Sequence, residues 1–344
     1  MKTFGSIHLP MRLRWLLMLA ALIIPQTVHA DSWHAFVGAQ SHDKGAQALA
    51  FLPNEIWIHA GDSITWTFAA DDIHTVTFLT PLQPRPLFQL GCPGVSPSGS
   101  SFDNSTCVTT APMIEPGTFS VTFPKAGNFK LVCLVHENMT GVIHVLDLSQ
   151  PLPHNQDFYN RLAFAEARNL ITDTDHNLSE ANDEHSSADH ASADRSSHNH
   201  SRDNVTAGIG EIVATPGGQQ TLSIVRFIHA TTVIHIGQTV EWGASDPVTP
   251  HTVTFGPAEP ADPGPPSANV TVDEDGALHA VINAPTDNVH SGILAAAPQE
   301  RIGLPLSPIT PTRFRVTFTH AGTFPFRCVL HDNLGMVGKV IVQK

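Results

Sequence analysis

Two short stretches of the chain carry cysteine, histidine and methionine in the same order: CLVHENMTG, residues 133–141, and CVLHDNLGMVG, residues 328–338. Upstream of each stands a further histidine in an identical pentapeptide HTVTF, beginning at His74 and at His251. A thiolate, two imidazoles and a thioether form a soft donor set, suited to a transition metal and not to calcium or magnesium. A trigonal Cys and two His with a weak axial Met holds copper for electron transfer. Structural zinc favours paired Cys-x-x-Cys or paired His spacings, which are missing here. The candidate metal ligands are therefore His74, Cys133, His136 and Met139 in one set, and His251, Cys328, His331 and Met336 in the other. A single Cys-x-x-His would be a weak signal, and a lone Met after a strand is usually core. Two complete sets in register with HTVTF form a much more specific pattern.

The elements that must position these residues are written twice. Residues 119–138 and 314–333 share ten identities in twenty positions. Phe51, Ile58, His59, Gly61 and Trp66 match Phe227, Ile234, His235, Gly237 and Trp242 at identical spacing. Such self-similarity marks a duplicated domain. SITWTF, HTVTF, FSVTF and RVTF alternate apolar and polar residues, the period-2 pattern of half-buried strands, and Ala126-Gly127 and Ala321-Gly322 supply turns between them. Seven or eight short strands per unit predict an all-β chain of two tandem Greek-key sandwiches. Trp66 and Trp242 are expected in their cores.

Between the repeats, Phe158, Leu162, Ala165 and Leu170 in residues 155–172 lie at helical spacing and predict a short amphipathic helix. The following stretch, 173–204, has eight acids, five histidines and no aromatic residue. It cannot bury enough apolar surface to fold and is expected to be a disordered linker. The boundaries are a leader at 1–30, domain one at 31–150, helix and linker at 151–203, and domain two at 204–344.

With these elements in place, the chain resembles the cupredoxins, the blue copper family that includes plastocyanin, amicyanin and azurin. In that family the upstream His and the Cys, His and Met of the loop before the last strand bind copper. The resemblance implies one mononuclear type 1 copper per domain, on the eight residues named above. The second loop, Cys-x2-His-x4-Met, is similar in spacing to plastocyanin; the first, Cys-x2-His-x2-Met, looks like the shorter loop of amicyanin. Both place Met two residues before a glycine, Gly141 and Gly338. Thr75 and Thr252 stand where many cupredoxins have Asn, and a Thr hydroxyl could brace the loop there. In related proteins the loop His lies near the surface, so His136 and His331 are the expected electron portals. The inserts at 81–116 and 255–310 fall outside the matched pattern.

Two-domain relatives can also be oxidases or nitrite reductases, in which a His beside the Cys feeds a second, catalytic copper. Here Val132 and Leu134 flank Cys133, and Arg327 and Val329 flank Cys328. The one His-x-His, His198-Asn199-His200, is in the linker. Electron carriage is expected rather than catalysis, and His59, His235, His279 and His290 are read as polar strand or loop residues. A copper capture or delivery role for the His-rich linker is the alternative, against which a solvated spacer is favoured.

The remaining cysteines, Cys92 and Cys107, sit in a Gly/Ser/Pro-rich loop and predict a local disulfide in an oxidising compartment. A second disulfide between Cys133 and Cys328 is the competing reading of those two, and their matched contexts favour metal. The first thirty residues have Lys2, Arg12 and Arg14 but no acid, then ten apolar residues, Trp15 to Ile24, and a small-residue ending at Ala30. They read as a cleavable secretory signal, which places the protein in the periplasm or outside the cell. The apolar run is shorter than the roughly twenty residues needed to cross a bilayer, so no stable membrane insertion is expected. Removing those three positive charges takes the net charge from −13 to −16. That balance argues against nucleic acid as a partner; it suits a basic redox protein or simply favours solubility, the default reading.

Overall fold

The computed structural model describes residues 30–85, 92, 94–172, 204–258, 260, 264–296 and 311–344. The expected leader and the His-rich linker 173–203 lie outside the described residues, as do parts of both inserts. Strands dominate the regular structure of the described residues, with one α-helix, Gln156–Thr172, between the two halves. Among the described residues no helix is long and apolar enough to cross a membrane.

Each half is a two-layer sandwich, and the layers repeat. In the first half one layer runs in the order Glu55–His59, Thr140–Leu146, Gly127–Val132, Thr77–Phe78, Val108–Thr109. The second half repeats that order with Thr231–His235, Val337–Gln343, Gly322–Arg327, Thr254–Phe255 and Val289–His290. The alternation predicted from SITWTF is realised: Ile64, Trp66 and Phe68 are buried and the residues between them are half-buried. Trp66 and Trp242 are fully buried, each against an aromatic ring from the facing layer, Phe78 at 5.7 Å and Phe255 at 5.5 Å.

The opposite layers do not remain separate. Ala46–Leu52 of the first half pairs antiparallel with Gly218–Ile228 of the second, and the two layers fuse into one eleven-stranded sheet. The register is Thr221 with Leu49, Leu222 with Ala48, Ser223 with Gln47 and Ile224 with Ala46. Gln47 and Ser223 occupy equivalent positions of the repeat, four residues before Phe51 and Phe227. The seam is therefore an internal two-fold axis, with equivalent residues facing each other at its centre.

The helix lies over this seam. Asn155 Oδ1 accepts from the Phe158 amide at 3.0 Å, capping the first turn. Ala163 and Leu170 pack on Ala46, Ala48, Ala50 and Leu222, where small side chains let the helix approach closely. The inserts are not plain loops. Residues 81–116 contribute the short strands Ser100–Ser101 and Val108–Thr109, and 255–310 contribute Thr271–Val272, Leu278–Ile282 and Val289–His290. Cys92 and Cys107 are disulfide-bonded with Cα atoms 5.4 Å apart, whereas Cys133 and Cys328 are free and buried.

Candidate metal centre

In each half the upstream histidine follows the strand that carries the core tryptophan and is pinned by paired backbone hydrogen bonds. His74 exchanges them with Met113 at 2.9 and 2.8 Å, and His251 with Leu294 at 3.0 and 2.8 Å. The cysteine stands just past the end of Gly127–Val132 or Gly322–Arg327, and the loop after it folds back on itself. The Cys133 amide donates to the Met139 carbonyl at 3.0 Å, and the Cys328 amide to the Met336 carbonyl at 3.1 Å. The second loop has two more residues, which it takes up as a 3-10 turn, Asp332–Leu334, ended by Gly335 at φ 94°. A side chain there would strain the left-handed backbone, so glycine permits the longer loop to close.

These elements bring together His74, Cys133 and His136, and separately His251, Cys328 and His331, all buried, with ligand atoms within 4.8 Å of one another. The two imidazoles face each other through Nδ1 at 3.2 Å in both sets. Cys133 Sγ is 4.0 Å from His136 Nδ1, and Cys328 Sγ is 3.4 Å from His331 Nδ1. An ion about 2.0 Å from each nitrogen and about 2.3 Å from sulfur, as zinc takes them, would hold trigonal donors roughly 3.5 Å apart. The donor spacing fits one such ion per set. Met139 and Met336 are fully buried, each in the core cluster that contains its own cysteine.

The threonines after the first histidine have a defined role. The Thr75 amide donates to Cys133 Sγ at 3.4 Å while Thr75 Oγ1 accepts from the Leu134 amide at 2.8 Å. Thr252 repeats both bonds, to Cys328 Sγ at 3.3 Å and from Val329 at 2.9 Å. Each threonine thus ties the histidine segment to the cysteine loop and points an N–H at sulfur.

Several residues that shape the sites escape motif reading. Gly38 and Gly208 sit at bulges of the first strand of each half, at φ +70° and +72°. A Cβ there would lie 2.7 Å from His74 Nε2 and 1.9 Å from His251 Nε2, respectively. An isolated glycine inside a strand pattern is a signal of close approach, and it was available in FVGAQ and TAGIG. Asp246 is fully buried, accepts from the Ser223 hydroxyl and the Val248 and Thr249 amides, and has Oδ2 3.9 Å from His251 Nε2. In the first half a carboxylate addresses the other histidine instead: Asp72 Oδ2 is 3.6 Å from His136 Nε2. Arg85 donates to the Cys133 carbonyl.

These differences shift the protonation of the metal-free sites. Burial, reinforced by His136, pushes the pKa of His74 down to about 3, and burial raises that of the Cys133 thiol. At His251 burial also lowers the pKa, but Asp246 and the Cys328 sulfur outweigh it and carry the value up to about 9. Burial would raise Cys328 as well, yet His331 and His251 bring it well below the ordinary thiol value.

The other histidines weighed from sequence do not gather. His59 Nε2 contacts the Gln150 carbonyl at 2.7 Å, His279 pairs with Asp273, His290 Nδ1 lies 2.8 Å from Thr254 Oγ1, and His235 is exposed. Among the described residues none of them joins a group of three or more metal-binding side chains.

Residues 39–146 match the family of copper binding proteins, plastocyanin/azurin family. Among solved structures, a reduced amicyanin mutant is 18% identical over 33% of this chain and 82% of its own, with a TM-score of 0.23. Oxidised plastocyanin from Dryopteris crassirhizoma is 18% identical over 41% of this chain and 99% of its own, with a TM-score of 0.21. Comparison with curated proteins returns no match. The family match over the first half, and the same layer order in the second, make the fold cupredoxin-like.

Proposed function

We propose that the chain is an exported electron-transfer protein that holds one mononuclear type 1 copper in each half and performs no catalysis of its own. The observation that carries this reading is the convergence of two imidazoles and one thiol, all buried, at the same place in both halves. Copper bound there would supply a one-electron couple. The chain's part is to keep the donors still: the threonine clamps, the closed Cys-to-Met loops and the packed cores leave the ligands little room to move between oxidation states. Met139 and Met336, buried on the same loops, are assigned as the axial thioethers. His136 and His331, 3% and 5% exposed against 0% for His74 and His251, are the ligands nearest solvent and serve as electron portals. The net charge of −16 for residues 31–344 fits a basic redox partner, and the leader at 1–30 fits a periplasmic or secreted location.

Copper stoichiometry with a visible spectrum tests the reading. Two coppers per chain and an intense Cys–copper absorption are expected, of which Cys133→Ser and Cys328→Ser each remove about half, as equal independent sites require. A single variant that abolishes all of the absorption would leave one site only, and steady turnover of nitrite or a phenol by the pure protein would show catalysis.

A second reading, copper capture, draws on the five histidines among eight acids in the linker. Deleting residues 173–203 slows copper uptake at limiting copper if the linker captures metal and leaves it unchanged if the linker is a spacer.

A further inference from the structure

Both cysteine loops touch one strand, Gly218–Ile228. Near its start the Gln219 amide donates to Thr140 Oγ1 at 2.9 Å, and Thr140 directly follows Met139. Thr221 Oγ1 lies 3.5 Å from the carbonyl of Asn138, on the other side of that methionine. Two residues on, the Ser223 hydroxyl donates to Asp246, whose Oδ2 is 3.9 Å from the Nε2 of His251. Farther along, Arg226 Nη1 donates to the Leu334 carbonyl at 2.7 Å, inside the second cysteine loop. Thr221, Ser223, Asp246 and His251 are all 0% exposed. Alternate residues of a strand share a face, about 7 Å apart along the chain, so Thr221 and Ser223 put their hydroxyls on one side of the sheet.

We propose that this strand is an electron bridge between the two metal centres, running from the Asn138–Met139 segment through Thr221 and Ser223 to Asp246 and His251. The proposal rests on the two-copper reading. One electron leaves the copper of one half, which is oxidised, and arrives at that of the other, which is reduced; no proton and no outside reagent takes part. Electron tunnelling decays less steeply along covalent and hydrogen bonds than across open gaps. The route has two non-covalent gaps beyond its one strong hydrogen bond, at Thr221 and at Asp246. The chain would then exchange electrons internally, without waiting for two molecules to collide.

The test uses the full, copper-loaded chain poised half-reduced, with proton NMR line broadening of core methyl groups followed against protein concentration. Copper content and the visible band are read first on the same sample, so a missing second copper counts against the two-site reading and takes the bridge with it. With two coppers present, a part of the exchange broadening independent of concentration is expected in both halves. It should vanish in Cys328→Ser and fall several-fold in Thr221→Val combined with Ser223→Ala. Thr221→Val alone, nearly isosteric, should give a smaller fall and guards against a folding defect in the double variant. Broadening that scales wholly with concentration, or a double variant with full copper that exchanges at the wild-type rate, overturns the bridge.

Discussion

The two candidate metal centres share a donor set and differ in what surrounds it. In the first half the upstream His74 has Gly38 against its outer nitrogen, and the buried carboxylate, Asp72, faces His136. In the second the carboxylate, Asp246, addresses the upstream His251, and the loop is longer by one 3-10 turn. In the metal-free protein burial holds the pKa of His74 down at about 3 and raises that of the Cys133 thiol. In the second half, against burial, Asp246 and sulfur carry His251 up to about 9 and the histidines lower the Cys328 thiol. Duplicated ligands thus do not make duplicated sites: the charge placed one contact beyond the donors sets their protonation.

Substitutions at the bulge glycines should break the comparison most severely. In Gly208→Ala the new Cβ would stand 1.9 Å from His251 Nε2, against 2.7 Å from His74 Nε2 in Gly38→Ala. A non-glycine residue at this φ costs about 1–3 kcal/mol before any clash is counted. Gly208→Ala should lose the second-half copper outright, and Gly38→Ala should weaken the first while retaining part of it. Copper content and denaturant midpoints of the two variants check the order; equal losses would mean that backbone strain, not contact with the histidine, dominates.

The threonine clamps offer a finer probe. Thr75→Val leaves the buried Leu134 amide, and Thr252→Val the half-buried Val329 amide, without its acceptor, at a cost of about 1–3 kcal/mol. Because the two clamps have matching geometry, the losses should agree, and the visible band of the affected half should shift. Urea unfolding and the spectrum measure both, and a large disagreement would show that the clamps are not equivalent.

The smallest expected effect concerns the seam. Glu166 on the helix accepts from Gln220 Nε2 at 3.0 Å, and burial raises its pKa to about 7. A carboxyl whose folded pKa exceeds its unfolded one stabilises the fold fully below the unfolded value. That contribution is lost as pH rises through the folded value. Stability should therefore decline from this group as pH rises from 4.5 to 7. Glu166→Gln should flatten that part of the profile, as followed by unfolding at several pH values. An unchanged slope would place its cause elsewhere.

The two His-Cys-His groups, the strand pattern and the helix at 155–172 were legible because each rests on local spacing, and the duplication because both copies keep that spacing. The helix begins one residue later than expected, at Gln156. The seam was not legible. Ala46–Leu52 is buried at every position, because helix and core cover its two faces, so its sequence lacks the alternation that marks a half-buried strand. Its partner, Gly218–Ile228, lies some 170 residues away in sequence, and nothing local encodes that pairing. The short strands in the inserts were missed for a related reason: two-residue pairings such as Thr77–Phe78 with Val108–Thr109 exist only once the neighbouring strand is in place. Asp72 and Asp246 sit at different distances from their histidines in sequence, so alignment of the repeats does not bring them together.

The meeting of Gln47 with Ser223 at the centre of the seam has a reading in terms of assembly. Equivalent residues facing each other across an antiparallel strand pair are the signature of an isologous dimer interface. The present chain thus holds, within one polypeptide, the geometry of two like subunits associated edge to edge, and the covalent link makes that association obligatory.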